Sequence, residues 1–213
     1  MKKLLLSMLA TFLVIGLVGA GTYAWFQDTE TSTGNTFTAG TLDLKIRDQD
    51  EPWGDGVTAT WTASNMAPGD SWDFLVPFVR LDSVGSIPGS YLEITCDYSV
   101  IEEIPQTEAD TDPNTNLDPD KMAKVMEITR FEYRNGSWSI NCLTDSNPNW
   151  RIEDQNGDGR ITFFDLKNDP LTQLPAPDGA TTENNFGVKF LQLAGNDFQG
   201  DTFNLTMIYI LNQ

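Results

Sequence analysis

The chain has 213 residues, with 13 Lys and Arg against 31 Asp and Glu, no His, two Cys and a formal net charge of −18. So acidic a surface repels a polyanion and excludes nucleic acid as a partner. Without His there is no Ser-His-Asp or Cys-His nucleophile and no HExxH zinc helix, which leaves an exported binding or structural protein, an oxygen-ligand metal site or a carboxylate-only glycosidase.

Lys2 and Lys3 precede an almost unbroken apolar run over 4–18, and small residues follow at Gly19, Ala20, Gly21, Thr22 and Ala24. That order is a secretory signal peptide, and the run is shorter than the roughly 20 apolar residues of a spanning helix. Residues 1–24 are expected to be removed after Ala24. The exported form then works in the extracellular space or at the cell surface, and meets the membrane only during export.

Further along, 36–46 alternates, with Leu42, Leu44 and Ile46 on one face, and reads as a half-buried strand. Residues 48–56 form an acidic turn, 57–66 a second strand around Trp61, and 67–70 another turn. The stretch 72–81 is apolar on both faces and predicts a central strand buried on both sides. After a loop over 83–90, 91–101 alternates again, with Leu92, Ile94, Cys96, Tyr98 and Val100 on one face. Residues 105–120 are an exposed loop. Asp118-Pro119 then reads as an N-cap with Pro in the first turn of a short helix to about Met126. Asn135-Gly136 marks a hairpin over 127–142, whose two-residue turn pairs Tyr133 with Trp138, Phe131 with Ile140 and Thr129 with Cys142. The last strands are 186–193 and 202–211. This pattern predicts an all-β, jelly-roll-like β-sandwich over 39–213, with loop and helix insertions at about 105–183.

The strongest local motif lies inside that tract. Residues 154–165 read DQNGDGRITFFD, an EF-hand-like spacing. Asp154, Asn156 and Asp158 take loop positions 1, 3 and 5, Gly159 is the turn glycine at 6, Arg160 offers its carbonyl at 7, and Asp165 closes the shell at 12. Ca2+ wants six to eight hard oxygens on such a loop. Asp in place of Glu at position 12 resembles the dockerin variant. The clusters Asp48, Asp50, Asp55 and Asp110, Asp112, Asp118, Asp120 lack fixed spacing and read as solvated loops.

Cys96 and Cys142 both fall on apolar strand faces. A strand-bridging disulfide and two small buried hydrophobes both remain open. Asn135-Gly136-Ser137 is a candidate glycosylation site at a turn, whereas Asn204-Leu205-Thr206 lies in a strand and is expected to stay unmodified.

Several stretches resemble the TasA/camelysin family: GTYAWFQDTETS from Gly21, NTFTAGTLDL over 35–44, APGD over 67–70, Leu81 with GSIP over 85–88, and NDFQGD over 196–201 with the final strand. Residues 105–183 lie outside the resemblance. It implies an exported jelly-roll subunit of an extracellular fibre, pilus or biofilm matrix, a group that includes archaeal bundling pilins. Such subunits join by donor-strand exchange, here through 25–38, with Trp25, Phe26 and Phe37 as anchors. The partners implied are copies of the chain in a head-to-tail homopolymer, and neighbouring filaments. A calcium-dependent cell-surface adhesion module is the second reading. The metalloprotease activity ascribed to camelysin is a distant third, because the chain lacks His and it is expected not to be an enzyme.

Overall fold

Period-2 alternation becomes two antiparallel sheets in the computed structural model, which describes residues 42–48, 52–56, 67–73, 79–102, 114–177, 181–198 and 200–213. The strands are β1 (Leu44–Arg47), β2 (Ser71–Asp73), β3 (Val79–Ser83), β4 (Tyr91–Ile101), β5 (Met126–Arg134), β6 (Ser139–Asn141), β7 (Leu171–Pro175), β8 (Thr182–Phe190) and β9 (Thr202–Asn212). Two short helices accompany them, α1 (Pro119–Ala123) and α2 (Phe163–Asn168). The larger sheet runs β1-β3-β8-β5-β6, with β2 also on β8, and the smaller runs β7-β4-β9. The fold is an all-β sandwich.

The core lies between the sheets. Leu81, Phe131, Tyr133, Phe186 and Val188 enter from the larger sheet, and Leu92, Ile94, Leu171 and Leu174 from the smaller. Fully burying each such side chain contributes about 1.5–3 kcal/mol. Phe163 of α2 meets Phe186 edge-on, with ring centres 6.2 Å apart, the arrangement the ring quadrupole favours. Two tyrosines also pin the sheets together. Tyr209 of β9 donates its hydroxyl to Asn184 Oδ1 of β8 at 2.8 Å, and Tyr133 of β5 donates to the Pro175 carbonyl of β7 at 2.7 Å. Burial pushes both hydroxyls far above the ordinary tyrosine pKa, so both remain donors.

Alternation located β4 and β9 closely. All five apolar residues named for β4 are buried. Leu44 and Ile46 also share a core-facing side, in a strand that begins at Leu44. The expected strand 57–66 and residues 1–38 lie outside the described residues.

Elsewhere the structure corrects the expectation. Of the expected strand 72–81, β2 and β3 both pair with β8, in different registers, residues 74–78 lie outside the described residues, and β3 buries one face only, not both. Its outward Arg80 pairs with Glu183 at 3.3 Å. The helix after Asp118 stops at Ala123, because Met126 already starts β5, and Asp118 makes no side-chain cap. In the β5–β6 hairpin Asn135 Oδ1 accepts from the backbone amides of Ser137 and Trp138, at 2.8 and 3.2 Å, which moves the two-residue turn to Gly136-Ser137. Asn135 N then donates to the Trp138 carbonyl at 3.0 Å, so Tyr133 pairs with Ile140 and Glu132 with Asn141. The shift is even, so Phe131 and Tyr133 still face the core. β8 starts at Thr182 and gives way to a 3-10 turn at Gln192–Ala194. The tract 105–183 supplies β5, β6, β7 and the start of β8, and is therefore woven into both sheets.

Gly187 of β8 sits where neighbouring strands leave no room for a side chain. A Cβ there would meet Thr129 Oγ1 at 2.8 Å and the Trp72 carbonyl at 3.2 Å. Gly187→Ala should therefore cost about 1–3 kcal/mol by overpacking, read as a lower urea midpoint at unchanged m-value.

Candidate functional site

The 154–165 loop is built by left-handed glycines and a network of backbone amides. Gly157 and Gly159 have φ of 75° and 81°, a region that side chains with a Cβ disfavour. Their amides turn inward onto Asp154. Oδ1 accepts from Gly157 N at 2.7 Å and Asp158 N at 3.3 Å, and Oδ2 from Gly159 N at 2.7 Å. Asn156 Oδ1 accepts from Asp158 N at 2.9 Å, and Asp158 Oδ1 from Arg160 N at 2.9 Å. These amides, Gly159 first, hold the Asp154 carboxyl below the usual carboxylate range.

Asp165 is fully buried and closes the loop onto α2. Its Oδ2 accepts from Thr162 N at 2.8 Å and Thr162 Oγ1 at 2.7 Å, and its Oδ1 from Gln155 N at 2.8 Å. Sequence reasoning missed Thr162 and Gln155, although Thr three residues before an acid is a helix-start signal. The loop exit is stitched to the larger sheet, where Ile128 N donates to the Ile161 carbonyl at 2.7 Å. From there α2 clamps β4 of the smaller sheet. Thr95 Oγ1 donates to the Leu166 carbonyl, and Lys167 pairs with Asp97 at 2.8 Å while lying over the Tyr98 ring.

The donor set of Asp154, Asn156, Asp158, the Arg160 carbonyl and Asp165 has the hard-oxygen chemistry of Ca2+. The side chains are engaged by amides rather than gathered around one point. Among the described residues no group of three or more His, Cys, Asp or Glu side chains converges to hold a metal.

The other sequence candidates fall apart in space. Trp25, Phe26 and Phe37 lie outside the described residues. Cys96 and Cys142 are unbonded thiols, one in β4 and the other just beyond β6 in the opposite sheet. This corrects the candidate disulfide. Burial pushes the Cys96 thiol up to about 12 and raises Cys142 as well, so both behave as small hydrophobes. Asn135 is half-buried and spends its Oδ1 on the hairpin turn.

A feature that alternation alone could not reveal lies on β9. Phe203, Leu205, Met207, Tyr209 and Leu211 face the core, yet each is only half-buried, whereas the same face of β4 is fully covered. Near the start of β9, the buried Thr115 hydroxyl contacts Glu102 Oε2 at 2.8 Å and Asp201 Oδ2, tying the end of β4 to the entry of β9.

A family model described as camelysin metallo-endopeptidase matches residues 1–136. The chain belongs to the TasA/camelysin family. Comparison with curated proteins finds no match. The camelysin match runs through β5 to the hairpin turn, so it includes 105–136, which the resemblance had left out, and it ends before the 154–165 loop. Among the described residues no helix is long and apolar enough to cross a membrane.

Two outcomes follow from the loop. Asp165→Ala strands both donors of the buried Thr162 and releases the Gln155 amide, and should cost about 1–3 kcal/mol even in EDTA, measured by urea denaturation. The Asp154 carboxyl titrates lower when folded than when unfolded. Its contribution is therefore complete above the ordinary value of about 3.9 and is lost as pH falls through the lower folded value. The Gly157 and Gly159 amide resonances should move together in that acid range, and Asp154→Asn should abolish the transition.

Proposed function

We propose that this protein is a structural, non-enzymatic subunit of an extracellular fibre, pilus or biofilm matrix. The observation that carries the reading is the half-covered apolar row along β9. Among the described residues a three-stranded sheet opposes a six-stranded one, and five core-facing apolar side chains of β9 are half-buried. A soluble chain gains by covering such a row. Family membership supports export and polymer formation, although the family description names a metallo-endopeptidase. A chain with no His lacks the imidazole ligands of the common zinc-protease sites.

In this reading the signal peptide is removed, and segment 25–38 of one subunit joins the next by donor-strand exchange, with Trp25, Phe26 and Phe37 as anchors. Such a head-to-tail contact does not close and so extends into a filament. Electron microscopy of the purified protein should show filaments, and deleting 25–38 should leave a soluble subunit. A chain that stays monomeric at every concentration and calcium level defeats the reading.

Calcium in the 154–165 loop is the second part of the proposal. Motif spacing, the two left-handed glycines and the oxygen donor set support it. A cation there would tie the larger sheet to α2 and β4, and would relieve repulsion in a −18 chain. The melting temperature should rise in Ca2+ relative to EDTA and be calcium-independent in Asp154→Ala. Equal melting in both conditions for the parent chain overturns the site.

A further inference from the structure

We infer that Asn135 is a site of spontaneous self-modification, where the Gly136 amide nitrogen closes on the Asn135 side chain and expels ammonia. The reaction needs neither a filament nor a bound ion. The sequence contains two Asn-Gly pairs, Asn135-Gly136 and Asn156-Gly157. In such a pair the following residue has no Cβ to hinder attack by its own amide. Sequence alone therefore ranks the two pairs alike, and the structure separates them.

The Gly136 nitrogen loses its proton and attacks Asn135 Cγ. A new N–Cγ bond forms, the Cγ–Nδ2 bond breaks, and Nδ2 takes up a proton and leaves as ammonia. One water molecule then opens the resulting cyclic imide at either carbonyl, giving an aspartyl or an isoaspartyl residue. No oxidant, reductant or cofactor is consumed. The reaction requires a free amide as nucleophile and a carbonyl whose oxygen can carry negative charge.

The β5–β6 hairpin turn meets both requirements. Among the described residues the Gly136 amide makes no hydrogen bond, Gly136 is exposed, and a Cβ placed on it meets nothing within 4 Å. Asn135 Oδ1, where the charge develops, accepts from Ser137 N at 2.8 Å and Trp138 N at 3.2 Å. Two amides aimed at one carbonyl oxygen are the arrangement that stabilises an oxyanion.

The 154–165 loop holds the second pair back. Gly157 N donates to Asp154 Oδ1 at 2.7 Å, so losing its proton forfeits a bond to a carboxylate and sets two negative charges side by side. Asn156 Nδ2 donates to Asp158 Oδ2 at 3.4 Å, and Asn156 Oδ1 accepts from Asp158 N at 2.9 Å, which ties down both ends of the amide.

At the hairpin the aspartyl product keeps the turn, because a carboxylate accepts the same two amides more strongly. The isoaspartyl product lengthens the main chain between β5 and β6 by a methylene group. Either product adds a negative charge beside Arg134, which already pairs with Glu183 at 3.0 Å.

Peptide mapping by mass spectrometry tests the assignment on the purified protein, kept folded in EDTA at mildly alkaline pH. Asn135 should gain about one dalton, as a mixture of aspartyl and isoaspartyl forms, at a rate about tenfold or more above that of Asn156. In urea the two pairs should react alike. Asp154→Ala frees the Gly157 amide, so Asn156 should accelerate toward the Asn135 rate in that folded variant. Equal rates in the folded parent, or a faster Asn156, overturn the inference. So does an Asn135 that reacts in urea and stays intact in the fold. An Asn156 rate unchanged by Asp154→Ala overturns the protective role of the Asp154 carboxylate.

Discussion

Eleven residues of β4 pair without a break to β9, while five side chains of the same strand are buried against the larger sheet. The rest of the molecule depends on that double engagement. β7 is held on the other side of β4, α2 engages it through Thr95, Asp97 and the ring of Tyr98, and α1 reaches it through the hydrogen bond from Tyr98 to Asp120 at 2.8 Å. β9 is held by β4, by the Tyr209–Asn184 bond, by Ser90 N donating to the Asn212 carbonyl at 2.7 Å and by Phe203 against Tyr98 and Phe163, yet its core-facing row is only half-buried. A packed core tolerates few gaps, and a half-covered row at its margin is where a further strand gains most.

Charge is sorted in the same architecture. Of the 13 basic residues, Lys45, Arg47, Arg80, Arg130, Arg134 and Lys189 occupy outward positions of the larger sheet. Arg80 and Arg134 share Glu183, and Arg130 pairs with Asp73 and Glu132. Half-exposed pairs of this kind contribute about 0–1 kcal/mol each, so their main effect is to neutralise the sheet and leave the acidic excess to loops and turns. The 154–165 loop is one such place. There, backbone amides rather than cationic side chains meet the carboxylates of Asp154 and Asp165.

Much of the fold was legible because burial on one face imposes a period of two. β4 and β9 could be read almost to the residue. The glycine positions and carboxylates of the 154–165 loop could also be read, since their roles are local. Errors arose where a distant element decided. The hairpin turn moved by one residue because the Asn135 side chain captured two amides, and β3 proved buried on one face only because its outward Arg80 pairs with Glu183. Within the tract 105–183 the hairpin was legible from its turn and alternation, whereas β7 was not, because its partner β4 lies far away in sequence.

By itself, the sequence determined the all-β class, the exclusion of His-dependent chemistry, the family and the spacing of the loop oxygens. These follow from composition and from interactions within a few residues. Only the tertiary structure decided that Cys96 and Cys142 lie on opposite sides of the core as free thiols, that Thr162 and Gln155 occupy the Asp165 carboxylate, and that the core-facing row of β9 is half-buried where that of β4 is fully covered. The physical reason is that these are mostly contacts between elements far apart in sequence. Alternation reports which face of a strand is buried, but not whether a neighbour completes its hydrogen bonds.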